Sequence, residues 1–239
     1  MRALILNSGL GKRMGRYTEN SPKCMVRLDG EETILARQLR LLEAVGIREV
    51  VMTTGPYKEL LQDYIEALKL SLQVQYIHNP LYKETNYIYS IYLAREHLHS
   101  DLLLMHGDLV FEETVLRHMV ETKESCMAVS SAVPLPEKDF KAVIVGKKIT
   151  AVGIEFTENA VAAQPMYRFL GEAWERWLAQ IIRFCENGEV SSYAEKALNE
   201  ITDEIELYPY DFKTMLCQEV DQEEDLAEVK RILADRESR

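Results

Sequence analysis

Four short apolar runs constrain this chain most: residues 2–6, 49–53, 74–77 and 102–105. Each is too short for a helix, and apolar runs without polar alternation suit strands covered on both faces; Gln75 interrupts the third. Helical spacing fills the gaps between them. Leu35, Leu39 and Leu42 share one face, and Gly46 stands where a helix would end. Leu61, Ile65 and Leu68 mark a second helix. Tyr87, Ile91, Ala94 and Leu98 mark a third, and Val115 and Met119 a fourth. This alternation predicts an α/β fold, a mostly parallel sheet with helices on both faces.

The pattern changes from about Cys126. Residues 127–133, 142–145 and 149–154 read as strands with short links, and Gly146-Lys147-Lys148 reads as a hairpin tip. Trp174, Leu178, Ile181 and Cys185 give a helix, residues 191–201 another, and Glu206-Leu207-Tyr208 a late strand. Leu226, Val229 and Leu233 support a final helix. No internal repeat, low-complexity tract or linker interrupts the chain. The expectation is one domain over residues 1–239, with a β-rich antiparallel extension over about 126–170.

A formal net charge of −11 repels phosphate backbones, so nucleic-acid binding is not expected. A local cationic pocket remains compatible with it. Cys24, Cys126, Cys185 and Cys217 form no C-x-x-C pair, which argues against a zinc ribbon or a redox motif. No apolar run approaches the ~18 residues a membrane span needs. With no signal-peptide pattern at Met1, the expectation is a cytoplasmic protein with reduced thiols and no membrane partner. Oligomeric state is not legible.

The first run feeds the segment LNSGLGKRMGRYTENSPKCM, Leu6 to Met25. It lacks the spacing of a P-loop. Gly9, Gly11 and Gly15 are one residue too long for a dinucleotide fingerprint, and Met14 stands where that motif wants glycine or alanine. A plain glycine turn is the remaining bland alternative. Physically, the glycines let backbone N–H groups approach phosphate oxygens. Arg13 can pair with phosphate as a fork, and Lys23 supplies a point charge.

Gly9-Leu10-Gly11-Lys12-Arg13-Met14 followed by Pro22-Lys23 resembles the G-x-G-[ST]-R-[ML]…P-K signature of the sugar-nucleotidyltransferase-like family. Lys12 replaces the usual small hydroxyl residue, and Asn7-Ser8 replaces the commoner Ala-Ala or Ala-Gly. The resemblance implies a Rossmann-like fold of the nucleotide-diphospho-sugar transferase type. It implies a triphosphate cradle from Leu6, Asn7, Ser8, Gly9, Gly11 and Lys12, with Gly107 also on the nucleotide and Arg13 and Lys23 as the catalytic cations. It also implies Mg²⁺, which takes one or two carboxylates plus phosphates and waters. Asp108, after Gly107 at the end of the fourth run, matches the family's first ligand. Asp221 matches the second, with Glu219 as an alternative and Asp225 as an alternative or a helix-start residue. His106 could orient Asp108 or substrate, or be purely structural.

The segment Asn79-Pro80-Leu81-Tyr82-Lys83-Glu84-Thr85-Asn86-Tyr87-Ile88-Tyr89-Ser90 resembles the N-x-x-Y-x-x-x-N-x-x-x-S stretch of CTP:phosphocholine cytidylyltransferases of bacterial surface-decoration pathways and their phosphonate-activating relatives. The resemblance implies that Asn86 and Ser90 read the pyrimidine; a polar loop with a helix start at Asn86 is the alternative. For the acceptor, aromatic rings with acidic neighbours suit an alkylammonium head. Tyr167, Phe169, Trp174, Trp177 and Tyr193 are candidates, with Glu155 or Asp211. Trp174 and Trp177 sit at core spacing, which leaves Tyr167, Tyr193 and Glu155. The expectation is transfer of CMP from CTP to phosphocholine or, second, 2-aminoethylphosphonate. A sugar-1-phosphate enzyme using UTP or dTTP and a catalytically silent nucleotide-binding subunit are the alternatives.

Overall fold

The computed structural model describes residues 1–237. In chain order the first half holds β1 (Arg2–Asn7), β2 (Arg27–Asp29), β3 (Glu32–Thr33), α1 (Ile34–Ala44), β4 (Glu49–Thr54), α2 (Lys58–Ala67), β5 (Gln73–His78), α3 (Tyr87–Ala94) and β6 (Leu102–His106). The second half holds β7 (Leu109–Phe111), α4 (Glu113–Glu121), β8 (Cys126–Ser130), β9 (Lys141–Val145), β10 (Lys148–Gly153) and β11 (Ala160–Phe169). It ends with α5 (Gly171–Glu186), α6 (Ala194–Asn199), β12 (Tyr208–Asp211), β13 (Cys217–Glu219) and α7 (Glu223–Glu237).

The main sheet has nine strands and two regimes. β1 pairs parallel with β4 and β6, and β4 pairs parallel with β5. These are the four runs read from sequence. β11 then pairs antiparallel with β6, β8 and β9, and β10 closes a hairpin on β9. The Gly146 turn adopts φ +63°, as the hairpin tip requires. The antiparallel extension is therefore continuous with the parallel half.

Side chains of β1 alternate between faces. Leu4 and Leu6 join a core with Ile91 and Trp174, from α3 and α5. Ala3 and Ile5 join the opposite core with Leu39 and Met119, from α1 and α4. Thr33 caps α1 by accepting from Ala36 N at 3.0 Å. Trp174 and Trp177 are wholly buried, and their indole N–H groups donate to the carbonyls of Leu98 and Ala194. Their core spacing was the right guide.

A third cluster positions the site. Met14 and Val26, beside the glycine loop, pack with Val110, Val220, Leu226 and Val229. β13 pairs antiparallel with β7, and Val220 N donates to Asp108 O at 3.0 Å. Apolar burial thus clamps the late acidic segment onto the opening loop.

Several bounds differ from the sequence reading. The strand expected over 127–133 ends at Ser130, before a loop carrying Pro134 and Pro136. The helix expected over 191–201 spans Ala194–Asn199. β11, ten residues long and next to β6, went unread because Gln164-Pro165 interrupts its apolar run. The Pro sits where the β11–β8 register shifts, the kind of irregularity that tolerates it.

Candidate active site

The carboxyl ends of β1 and β6 lie side by side, where an open α/β sheet presents ligands. The chain leaves β1 into the loop at Gly9 and Gly11. Gly11 has φ +61°, and a Cβ there would lie 3.1 Å from the Lys23 Cβ. Glycine therefore serves both the left-handed turn and the close approach of Lys23. Arg13 and Lys23 follow on two 3₁₀ turns, Lys12–Thr18 and Lys23–Met25.

Lys23 Nζ donates to Asp108 Oδ2 at 2.6 Å and also to Asp221 Oδ1. Arg13 Nη2 donates to Asp221 Oδ2 at 2.8 Å. Four residues spread over the chain thus form one charge cluster. Burial opposes the Lys23 ammonium, but Asp108 and Asp221 together outweigh it and raise its pKa. Burial likewise opposes the Asp108 carboxylate, and Lys23, then His106, holds its pKa below the ordinary value.

Beside this cluster His106 Nδ1 lies 2.9 Å from Glu219 Oε1. Burial, then the Asp108 charge, pushes the Glu219 carboxyl up to about 7. The late acidic residues separate by placement. Asp221 reaches Lys23 and Arg13, and Glu219 reaches His106. Asp225 accepts from the N–H groups of Asp221 and Gln222, both at 2.9 Å, as the helix-start residue of α7.

A cleft of about 240 Å³ opens over the cluster, lined by Leu6, Asn7, Gly9, Gly11, Lys12, Arg13, Pro22, Lys23 and Asp108. Every proposed cradle residue except Ser8 and Gly107 lines it. Gly107 lies against Asn7, and its N–H donates to Leu6 O at 3.1 Å. Gln38, unread from sequence, donates to the carbonyls of His106 and Leu109 at 2.9 and 2.7 Å and fixes the end of β6. Buried on α1 at a helical core position, it gave no signal of its own.

A second cleft of about 200 Å³ shares Leu6, Gly9 and Asp108 and adds Ser8, Tyr82, Asn86, Tyr87 and Ser90. Asn86 is the N-cap of α3, accepting from Tyr87 N at 2.7 Å, so the helix-start reading holds for it while it also lines the cleft. Ser90 is buried and engaged on both sides, accepting from Asn79 Nδ2 and donating to Ser8 Oγ, each at 3.0 Å. Asn79 Nδ2 also reaches Thr85 Oγ1 at 3.0 Å. These hydroxyls and amides form one rigid polar wall.

The acceptor candidates do not gather. Tyr167 is wholly buried, and its hydroxyl donates to Glu195 Oε1 at 2.7 Å, so it faces the core and not a cleft. The Tyr87 hydroxyl donates to the same buried Glu195 carboxylate. Glu155 is exposed in the loop after β10 and lines neither cleft. Tyr193 is 45% exposed, with its ring 5.4 Å from Phe140 and 6.0 Å from Tyr87. Asp211 is held by Ser131 at 2.6 Å. A polar cleft of about 290 Å³ beyond Asp221 is lined by Arg13, Asp139, Gln164, Glu219 and neighbours.

All four cysteines are free and buried, and burial raises the thiol pKa of each. They are protonated thiols unsuited to nucleophilic work. Among the described residues no helix is long and apolar enough to cross a membrane.

Comparison with known proteins bears on what this arrangement does. The MobA-like NTP transferase domain family matches residues 3–196. A choline-phosphate cytidylyltransferase of Streptococcus pneumoniae is 24% identical over 242 residues, covering 98% of each chain. A CMP-5'-(3-aminopropyl)phosphonate synthase of Streptomyces rubellomurinus is 36% identical over 135 residues, 56% of this chain, but that match spans only 21% of the relative. The solved CTP:phosphocholine cytidylyltransferase of Streptococcus pneumoniae superposes with a TM-score of 0.79 at 20% identity, covering 97% of this chain and 98% of that one. A UDP-glucose pyrophosphorylase bound to UDP-glucose gives 0.78 at 15% identity, covering 98% of both. At these identities the superpositions establish the fold. Fold, glycine loop and cation–carboxylate cluster agree with the family match: the chain belongs to the MobA-like NTP transferase family and is a nucleotidyltransferase.

Proposed function

We propose that the protein is a Mg²⁺-dependent cytidylyltransferase. It transfers CMP from CTP to a small phosphorylated or phosphonate alkylamine, phosphocholine first and 2-aminoethylphosphonate second. The observation that carries this reading is the Lys23 ammonium held between Asp108 and Asp221 beside Arg13, at the mouth of the glycine loop. The relatives named for choline phosphate and aminopropylphosphonate support the choice of CTP and acceptor class.

An acceptor phosphate or phosphonate oxygen attacks the α-phosphorus of CTP. The bond from that phosphorus to the bridging oxygen breaks, and pyrophosphate leaves with the electron pair. Such transfer needs positioning and charge stabilisation more than a covalent nucleophile. Gly9 and Gly11 let the backbone approach the triphosphate, with Lys12 at the cleft wall. Arg13 pairs phosphate oxygens as a fork, and Lys23 meets the charge that builds at the α-phosphate. Leu6, Ser8, Asn86 and Ser90, with Asn79 behind them, form the wall for the cytidine.

The residues fit a divalent ion. Asp108 and Asp221 converge on one nitrogen, and Asp108 Oδ1 is buried without a hydrogen-bond partner among the described residues. Those two carboxylates would hold Mg²⁺, which neutralises triphosphate charge when bound. Tyr193 is the aromatic that remains available to an alkylammonium head. The protein works in the cytoplasm, where CTP is found.

Pyrophosphate release with CTP and phosphocholine or 2-aminoethylphosphonate is the expected result. No release with any nucleoside triphosphate across a panel of phosphorylated acceptors sinks the reading. The fold shared with a UDP-glucose pyrophosphorylase favours a second reading, a sugar-1-phosphate enzyme using UTP or dTTP. Comparing CTP, UTP and dTTP as donors separates the two.

A further inference from the structure

Asn7 and Ser8 are neighbours, yet they serve different clefts. Strand alternation throws consecutive side chains to opposite faces. Ser8 faces the Asn79–Ser90 wall, where it accepts from Ser90. Asn7 instead lines the cleft with Arg13, Lys23 and Asp108, its amide packed against Gly107. It is 9% exposed, and its Nδ2 has no hydrogen-bond partner among the described residues. A buried amide donor left unpaired costs on the order of 1–3 kcal/mol. Such a group calls for a partner that the described residues do not supply.

The surroundings hold it there. Asn7 N donates to the buried Thr53 Oγ1 at 3.1 Å, which fixes the backbone. The side chain lies across Gly107, where an added Cβ would come within 1.6 Å of Asn7 Oδ1. Gly107 is therefore a glycine because Asn7 occupies the space its side chain would take. Asn7 lines a cleft where three cations, Lys12, Arg13 and Lys23, outnumber the single carboxylate of Asp108, so an anion is the partner that suits its N–H groups.

We infer that the Asn7 side-chain amide donates a hydrogen bond to a phosphate oxygen of the bound triphosphate, positioning the phosphoryl group that is transferred. This rests on the cytidylyltransferase reading. Asn7 acts with Lys23 on one phosphate. Ser8, by contrast, belongs to the wall that meets the cytidine. The chain departs from the small residue common at position 7 in similar loops, and gains a neutral donor where Arg13 and Lys23 supply charge.

The test combines kinetics with a readout on the unmodified protein. Asn7→Ala lowers kcat roughly tenfold or more, with the KM of the acceptor and the thermal midpoint nearly unchanged. Asn7→Asp, of the same shape, falls further, because it swaps the donor for a third carboxylate beside Asp108 and Asp221. In ¹⁵N-labelled wild type, the Asn7 side-chain amide resonance moves on addition of Mg–CTP or Mg–pyrophosphate and stays put with cytidine. An amide signal indifferent to both phosphate ligands, or one that moves equally with cytidine, overturns the inference. So does an Asn7→Ala kcat within about twofold of wild type. A wild type that turns over no nucleotide refutes the parent reading instead, and the pyrophosphate titration still decides Asn7.

Discussion

Lys23 Nζ lies 2.6 Å from Asp108 Oδ2, although 85 positions separate the two residues in the chain. The same nitrogen reaches Asp221, so one ammonium ties the glycine loop, the end of β6 and the segment before α7. Its removal leaves two carboxylates facing each other with only Arg13 on one of them. Lys23→Ala should lower kcat by more than tenfold, since such charge contacts are worth on the order of 2–4 kcal/mol in the transition state. Steady-state pyrophosphate release checks it; unchanged kinetics refute the role.

Asp108→Asn keeps the shape but halves the charge of the carboxylate pair. Activity should fall on the order of 10²-fold, because divalent-ion stabilisation is worth several kcal/mol. Saturating Mg²⁺ should recover little of it. Titrating Mg²⁺ against rate decides the point: a variant with the wild-type rate and an unshifted Mg²⁺ dependence means Asp108 does not hold the ion.

Gly107→Ala places a Cβ within 1.6 Å of the Asn7 side chain. Overpacking of this kind costs about 1–3 kcal/mol of stability. A drop in thermal midpoint is expected, and pairing the change with Asn7→Ala should restore much of it. A double variant no more stable than Gly107→Ala would show that the two side chains do not compete for one space.

Ser90 links Asn79 to Ser8 within the second cleft. Ser90→Ala leaves the Ser8 hydroxyl without its donor and frees one Asn79 N–H. The expected loss is about 1–3 kcal/mol of binding or stability, with a lower kcat/KM for CTP relative to UTP. Parallel donor assays measure the ratio, and an unaltered ratio would remove this wall from nucleotide selection.

Away from the site, Asp101 accepts from Arg168 Nη2 and Gly171 N, both at 2.8 Å. Burial works against its carboxylate, but Arg168 and Gly171 prevail and hold the pKa below the ordinary carboxylate value. The unfolded chain therefore takes up this proton first as pH falls. The stabilisation is present above the ordinary carboxylate pKa and is lost as pH falls through the folded value. Asp101→Asn should be less stable than wild type at about pH 7, with the gap closing towards about pH 3. Urea unfolding at both pH values checks the direction. A gap that persists in acid points away from the ion pair.

β1, β4 and β6 were legible because both their faces are covered, and double burial writes uninterrupted apolar runs; β5, at the sheet edge, is exposed or half-buried throughout. Arg13, Lys23, Asp108 and Asp221 stand out through the resemblance of the loop, the strand end and the late segment to one family, and the structure brings the four side chains together. β7 and β13 were not. Each is three residues long, and no period can be read in three residues. Yet their pairing delivers Asp221. Tyr167 was misplaced because aromatic identity does not tell a cage from a core; β11 carries it inward to Glu195. The resemblance puts Asn7 among the cradle residues but assigns its side chain no task of its own. Its special status rests on where the alternation of β1 points it and on the missing Cβ of Gly107, and neither shows in residue order.

The bond from Lys23 to Asp221 spans 198 positions. During translation the amino-terminal loop therefore waits for its last carboxylate. At roughly 5–20 residues per second that delay is roughly 10–40 seconds. Asp108 follows Lys23 by 85 positions, so for the rest of that delay Lys23 has Asp108 but not Asp221 for a partner. The third core, which needs Val220, Leu226 and Val229, cannot close either. Catalytic competence thus arrives late, in a single docking step, and a ribosome-bound fragment lacking β13 should be a nucleotide-sized cleft with no working enzyme behind it.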